Sequence, residues 1–284
     1  MIVAMVYLAL GLFGLSLGSF VNALVWRLHA QDEVMASKPK GVGKKLKQLS
    51  VVRGRSMCMH CQHELAPKDL IPVVSWLMLR GKCRYCGHKI DDSPIIELLL
   101  PILFVASYLV WPYETNGWSA GEITMFVAWL GILTGFVALA YYDIKWYLLP
   151  DRIVAPITIL AVLLVVARAA TYNDGMVLVD ALAGAATIAG LFFGLWYISN
   201  EQWIGGGDVK LAPALGLLAG GPFLALFLIF LAAVLGTLAA IPLLLARNYS
   251  AKSMVPFGPF LIVATVIILL WGGQIMDWYT SPVL

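Results

Sequence analysis

Apolar stretches of about twenty residues recur along this chain, at 2–25, 95–112, 122–142, 153–171, 176–198, 209–221, 223–246 and 256–276. A helix needs about that length to cross the hydrocarbon of a bilayer, and inside lipid only helices or closed barrels satisfy their own backbone. The repetition predicts an all-α polytopic membrane protein with about eight transmembrane helices. The break between the sixth and seventh rests on Gly220-Gly221-Pro222, a helix breaker that membrane helices also tolerate as a kink, so seven spans is the alternative. Composition agrees, with 61% hydrophobic and only 12% charged residues, against about 25% charged in a soluble domain. The apolar start lacks a basic n-region and an Ala-x-Ala cleavage site, and reads as a retained span.

The charges are unevenly placed. Of 19 Lys and Arg, 13 fall between Arg27 and Lys89, together with all four histidines. The chain therefore divides into a first transmembrane helix at 1–26, a polar insertion at 27–94 and a membrane domain at 95–284. A basic segment beside a span is explained by the positive-inside rule and by anionic lipid head groups before nucleic acid, and no nucleic-acid partner is expected. With 27–94 in the cytosol, alternation puts Lys145, Arg152, Lys210, Arg247 and Lys252 on the cytosolic side. Glu114, Asp174 and Asp277 fall outside, and Arg168 is the one basic exception near the outer face. Residues 37–47, rich in Lys and Gly, are expected to form a mobile loop against the lipid surface.

The insertion holds all four cysteines, as Cys58-x-x-Cys61 and Cys83-x-x-Cys86. The x-x spacing lets a tight turn aim two thiolates at one ion, so two such pairs read as a closed, structural Zn2+ site. A cytosolic location argues against disulfides, and a small domain with few apolar residues needs such a staple. His60, His63 and His88 are substitute ligands, which four thiolates make unnecessary.

Two aspartates occupy positions where charge is expensive. Gly205-Gly206-Gly207-Asp208-Val209-Lys210 opens one apolar segment, and Tyr141-Tyr142-Asp143-Ile144-Lys145 closes another. A solvated loop acid with a snorkelling lysine explains either one alone. The pair is different, because the alternation above sets Asp143 and Asp208 at one membrane face. Two carboxylates held close cannot both ionise cheaply and share a proton, so one takes a proton from water while the other polarises a peptide carbonyl. The glycines Gly205, Gly206 and Gly207 let an extended substrate backbone approach without a side-chain clash. Lys210 lies two residues from Asp208, off its helical face, and is not assigned to proton transfer.

The ordered motifs resemble the type IV prepilin peptidases of pilus and type II secretion systems, over nearly the whole chain. The matching residues are Gly18-Ser19-Phe20-Val21-Asn22 with Arg27, the cysteine pairs, Asp69-Leu70-Ile71-Pro72, Ser75-Trp76-Leu77, Arg80-Gly81-Lys82-Cys83-Arg84 and Ile96-Glu97-Leu98-Leu99. Asp143, Leu149-Pro150-Asp151, Gly205 to Lys210 and Pro256-Phe257-Gly258-Pro259 follow in order. Gln62 departs from the pattern, standing after Cys61 where a glycine is frequent. The resemblance implies a bacterial inner-membrane aspartic endopeptidase that removes the short basic leader of prepilins and pseudopilins at the cytosolic face, with Asp143 and Asp208 as catalytic pair. It also implies N-methylation of the new N-terminus from S-adenosylmethionine, for which the chain offers no glycine-rich strand-to-helix motif.

Two further acids have ordinary explanations. Glu97 is a candidate for recognising the basic leader, but its place after Ser93-Pro94 suits a helix start. Asp151 reads as a boundary residue of the fourth span. The competing functions are a presenilin-like intramembrane protease, which has no zinc knuckles, and a proton-coupled transporter, which needs polar groups far from the cytosolic face.

Overall fold

The computed structural model describes residues 2–37, 41–51, 54–58, 60–90, 94–113, 118–245 and 255–281. Glu114, Ser93, Arg247 and Lys252, used above for topology or helix starts, lie outside the described residues. The described chain is all-helical apart from two isolated β-bridges, and forms two compact units, 1–109 and 110–284.

In the N-terminal unit α1 runs unbroken over Ile2–Ser37, well past the expected end of the first span at residue 26. No glycine or proline interrupts 19–37, so the helix has no reason to stop where its apolar character fades. Instead of a loop over 37–47, Val42–Gln48 form a short helix, α2; Lys44, Lys45, Leu46, Lys47 and Gln48 are all good helix formers. A 3-10 turn at Pro67–Asp69 and the five-residue α3, Val74–Met78, precede α4, Ile95–Leu109. Helices α1 and α4 pack closely because Gly14 and Gly18, one turn apart, have no side chains to separate them. A Cβ on Gly14 would lie 2.5 Å from Pro101 Cα, and one on Gly18 would lie 2.6 Å from Glu97 Cα. Small residues at such spacing are the usual means of helix contact in lipid. Val21, Val25 and Leu28 continue the buried stripe.

Beyond it, the Arg27 guanidinium donates to the carbonyls of Ser50, Val51 and Gly54 at 3.0 to 3.1 Å, tying the chain after α2 back to α1.

The second unit holds α5 (Ala120–Trp146), α6 (Asp151–Tyr172), α7 (Met176–Ile198), α8 (Gly206–Ala219), α9 (Pro222–Leu245) and α10 (Gly258–Thr280). Helix α5 starts from a capping box, in which Ser119 Oγ accepts from Glu122 N–H and Glu122 accepts from Ser119 N–H. Six helices, α1, α5, α6, α7, α9 and α10, are long and apolar enough to cross a membrane. Helices α4 and α8, with 15 and 14 residues, rise only about 22 and 21 Å, short of a hydrocarbon core of about 30 Å. The sixth and seventh apolar segments are separate helices, since α8 ends with Gly220 in the left-handed conformation (φ 73°) and Pro222 opens α9.

Short as it is, α8 is the centre of the unit. It contacts α6, α7, α9 and α10, and nearly every residue from Leu211 to Ala219 is buried. Glycines again permit the contact, for a Cβ on Gly216 would fall 2.5 Å from Ala185 Cα of α7.

Candidate active site and metal centre

Each cysteine pair sits in the same small turn. In the first, Cys58 N–H donates to His63 O and Gln62 N–H to Cys58 O; in the second, Cys83 N–H donates to His88 O and Gly87 N–H to Cys83 O. Bridges Met57 to Glu64 and Lys82 to Lys89 close the two turns at equivalent positions. Gln62 (φ 58°) thus takes the left-handed conformation that Gly87 (φ 69°) takes in the other copy. That backbone demand is why a glycine suits the place, and glutamine adopts it at a cost of about 1 kcal/mol or more.

The two turns bring four sulfurs to within 4.8 Å of one another, with Cys58 Sγ and Cys86 Sγ 3.9 Å apart. A tetrahedral ion with metal–sulfur bonds of about 2.3 Å requires sulfur–sulfur edges of about 3.8 Å, so the four cysteines could hold a metal ion. The histidines stand outside this set. His60 stacks on His88 at 4.0 Å, and His63 lies on Tyr85 at 3.8 Å, so each turn is braced by a ring from the other. Asp69 completes the brace, accepting from Arg84 Nε at 2.7 Å, Tyr85 OH at 3.0 Å and Ala66 N–H at 3.3 Å. The Arg84 bond, with help from the other two, holds the Asp69 carboxyl below the usual carboxylate range.

In the second unit Asp143 lies in the last turn of α5 and is buried. Asp208 is the third residue of α8, in the first turn, where the helix end favours negative charge. The two carboxyls are near enough to interact electrostatically. A third element contributes: the Gly258 N–H, at the start of α10, donates to Asp143. A Cβ on Gly258 would stand 2.6 Å from Asp143 Oδ2. Leu149, in the α5–α6 connection, fills the space between the helix ends. It lies 2.9 Å from where a Gly207 Cβ would be and 3.5 Å from where a Gly258 Cβ would be. Gly205 and Gly206 differ from Gly207, since a Cβ on either would meet the protein only at 3.6 and 3.8 Å.

Both lysines of the Asp-x-Lys pairs have neighbours outside those pairs. Lys210 Nζ binds both oxygens of Asp151 at 2.8 and 2.9 Å, and Lys145 Nζ lies over the Tyr141 ring at 4.4 Å. Asp151 opens α6, as a boundary residue would. Glu97, in the first turn of α4, accepts from Val73 N–H at 2.6 Å and so anchors the chain before α3.

Sequence reasoning gave no role to Gly258 or Leu149. The one signal for Gly258 was Pro256-Phe257-Gly258-Pro259, with Pro259 in the first turn of α10. Nothing local says which helix end that turn will meet.

Residues 12–111 match the family described as the Bacterial Peptidase A24 N-terminal domain, and residues 130–241 match the Type IV leader peptidase family. The chain is 32% identical over 278 residues to a prepilin leader peptidase/N-methyltransferase of Aeromonas hydrophila, covering 95% of this chain and 92% of the relative. It is 33% identical over 279 residues to the protein of that name from Pseudomonas aeruginosa, covering 94% and 91%. The Legionella pneumophila protein is 28% identical over 281 residues, with 96% and 94% covered. No solved structure matches the chain. With relatives similar along almost their whole length and two family domains in order, the chain belongs to the type IV leader peptidase family of enzymes.

Proposed function

We propose that this chain is a membrane aspartic endopeptidase of the bacterial inner membrane, cleaving the short basic leader of type IV prepilins and type II secretion pseudopilins at the cytosolic face. What supports the reading is that Asp143 and Asp208, on two helix ends, are near enough to interact electrostatically, with the Gly258 N–H donating to Asp143 and Leu149 close to both Gly207 and Gly258. Two carboxyls sharing a proton supply both halves of peptide hydrolysis. The ionised one takes a proton from water as the oxygen attacks, the protonated one donates to the carbonyl, and the proton returns to the leaving amine. The open edge at Gly205 and Gly206 admits an extended backbone. Beside it the Trp196 indole N–H is buried without a partner and offers a donor to a substrate carbonyl. Lys145 in the last turn of α5, Arg152 in the first turn of α6 and Lys210 near the start of α8, bonded to Asp151, support a cytosolic orientation of these helix ends.

Cys58, Cys61, Cys83 and Cys86 hold a structural Zn2+ in this reading. Bound there, zinc fixes the two turns together and leaves no open position for substrate. The second activity follows the relatives' printed name: N-methylation of the mature end, with S-adenosylmethionine as donor. Incubation of the purified protein with a prepilin, followed by mass analysis of the product, tests the function. Release of the intact leader supports it, and an unchanged prepilin in the presence of well-inserted protein refutes it.

A further inference from the structure

We infer that an open cavity lined in part by α1, α3 and α4 in the N-terminal unit binds the methyl donor, with Asn22 at the adenine edge and Trp76 beside it. The inference rests on the N-methylation reading above. Four stretches far apart in sequence supply the wall: Ser19, Asn22 and Trp26 from α1, Asp69, Trp76 from α3 and Glu97 from α4. The cavity measures about 180 Å3 and adjoins one of about 350 Å3, which shares Met57, Leu65 and Asp69 and extends to Cys58 and Cys83. Only the second reaches the range of about 300–1,000 Å3 usual for ligands of this size, so the ligand has to extend past the shared residues into both.

Hydrogen bonding in the wall is incomplete in a telling way. Among the described residues of this unit, Asn22 Oδ1 and Trp76 Nε1 are the two buried side-chain atoms without a partner. One is an acceptor and the other a donor, and native interiors rarely leave either unpaired. Asn22 Nδ2 is hardly better held, reaching Glu97 Oε1 at 3.5 Å, the limit of a hydrogen bond. An asparagine amide matches the adenine edge, accepting from the exocyclic N–H2 and donating to a ring nitrogen. The rings of Trp26 and Trp76 offer faces on which a base stacks.

Charge points the same way. Glu97 is bonded to Val73 N–H and the Asn22 amide, both neutral, so its negative charge is not cancelled by them. Asp69 across the cavity is matched by Arg84. Arg27, on the same wall, donates to the neutral carbonyls of Ser50, Val51 and Gly54, so the cavity carries a guanidinium as well as the Glu97 carboxylate; one charge of each sign suits a ligand that bears a carboxylate beside its sulfonium and ammonium. In the transfer, the lone pair of the neutral N-terminal amine forms the new N–C bond and the C–S bond breaks toward sulfur. A neutral thioether leaves, and the methylated ammonium releases a proton to water.

Binding of radiolabelled S-adenosylmethionine to the purified full-length protein, by equilibrium dialysis, tests the assignment without turnover. Asn22→Leu should weaken binding roughly tenfold or more, from loss of the paired contacts to the base. Trp76→Phe, which keeps a ring but removes the N–H, should weaken it less, and saturating ligand should quench tryptophan fluorescence in the wild type. Metal content and thermal melting of each variant establish that the unit is folded. Unchanged affinity in folded Asn22→Leu, or an ultraviolet crosslink of labelled donor that maps outside residues 19–97, overturns the inference. So does the absence of donor binding by wild-type protein. Prepilin cleavage by that same preparation then shows whether the peptidase reading survives without it.

Discussion

Gly258→Ala is the sharpest perturbation of the aspartate pair that leaves both aspartates in place. Gly258 has no left-handed φ, so alanine is compatible with its backbone, and α10 should still form. The difficulty is contact. The new Cβ would stand 2.6 Å from Asp143 Oδ2, whereas a carbon and an oxygen approach to roughly 3.3 Å. The carboxylate, or the start of α10 with its N–H donor, has to move by roughly 0.7 Å. Leu149, already 3.5 Å from the same point, blocks an escape sideways. A displacement near 1 Å in a catalytic group costs about 10²-fold, so kcat for prepilin cleavage should fall by about 10- to 100-fold while KM changes little. The assay is steady-state cleavage of purified prepilin by protein matched for expression and membrane insertion. Full kcat in well-inserted Gly258→Ala would refute the idea that the α10 start sets the geometry of Asp143.

The neighbouring glycines should separate by role. Gly205→Ala and Gly206→Ala meet the protein only at ordinary contact distances, so both should insert normally and raise KM, whereas Gly207→Ala, 2.9 Å from Leu149 Cβ, should lower the melting temperature. Cys83→Ser should lose the metal, about one Zn per chain by elemental analysis, and destabilise the N-terminal unit, because a structural ion contributes folding free energy directly. Asp151→Asn removes a pair with Lys210 whose side chains are 66% and 58% exposed; its stability change should stay below about 1 kcal/mol, and its cleavage rate should exceed that of either Asp143 or Asp208 variant.

Much of this was legible in the sequence because its determinants are local. Apolar runs of bilayer length gave the helices, Gly220-Gly221-Pro222 gave the break before α9, and the x-x spacing gave the cysteine cluster. The continuation of α1 to Ser37 and the helix at Val42–Gln48 depart from what the sequence pattern predicts. Polarity after residue 26 marks the end of an apolar run rather than of a helix, and the Lys- and Gly-rich 37–47 suggests a loop although most of its residues are helix formers. The repeat of the cysteine turn is hard to read from the sequence because its two copies share backbone geometry more than side chains, as Gln62 and Gly87 illustrate. Contacts between distant elements left little trace. Leu149 against Gly207, Gly258 against Asp143, and Asn22 with Trp76 around one cavity each depend on which helix ends the packing brings together.

The central claim is that Asp143 and Asp208 act as one proton-sharing unit. Its most direct test is prepilin cleavage by Asp143→Asn, Asp208→Asn and the double variant, each normalised to inserted protein. Asparagine keeps the shape of the side chain but cannot exchange the proton. Each single variant should lose nearly all activity and the double should be little worse, since residues that work together lose function non-additively. Substantial turnover by well-inserted Asp208→Asn would contradict the account, and so would losses that multiply in the double variant.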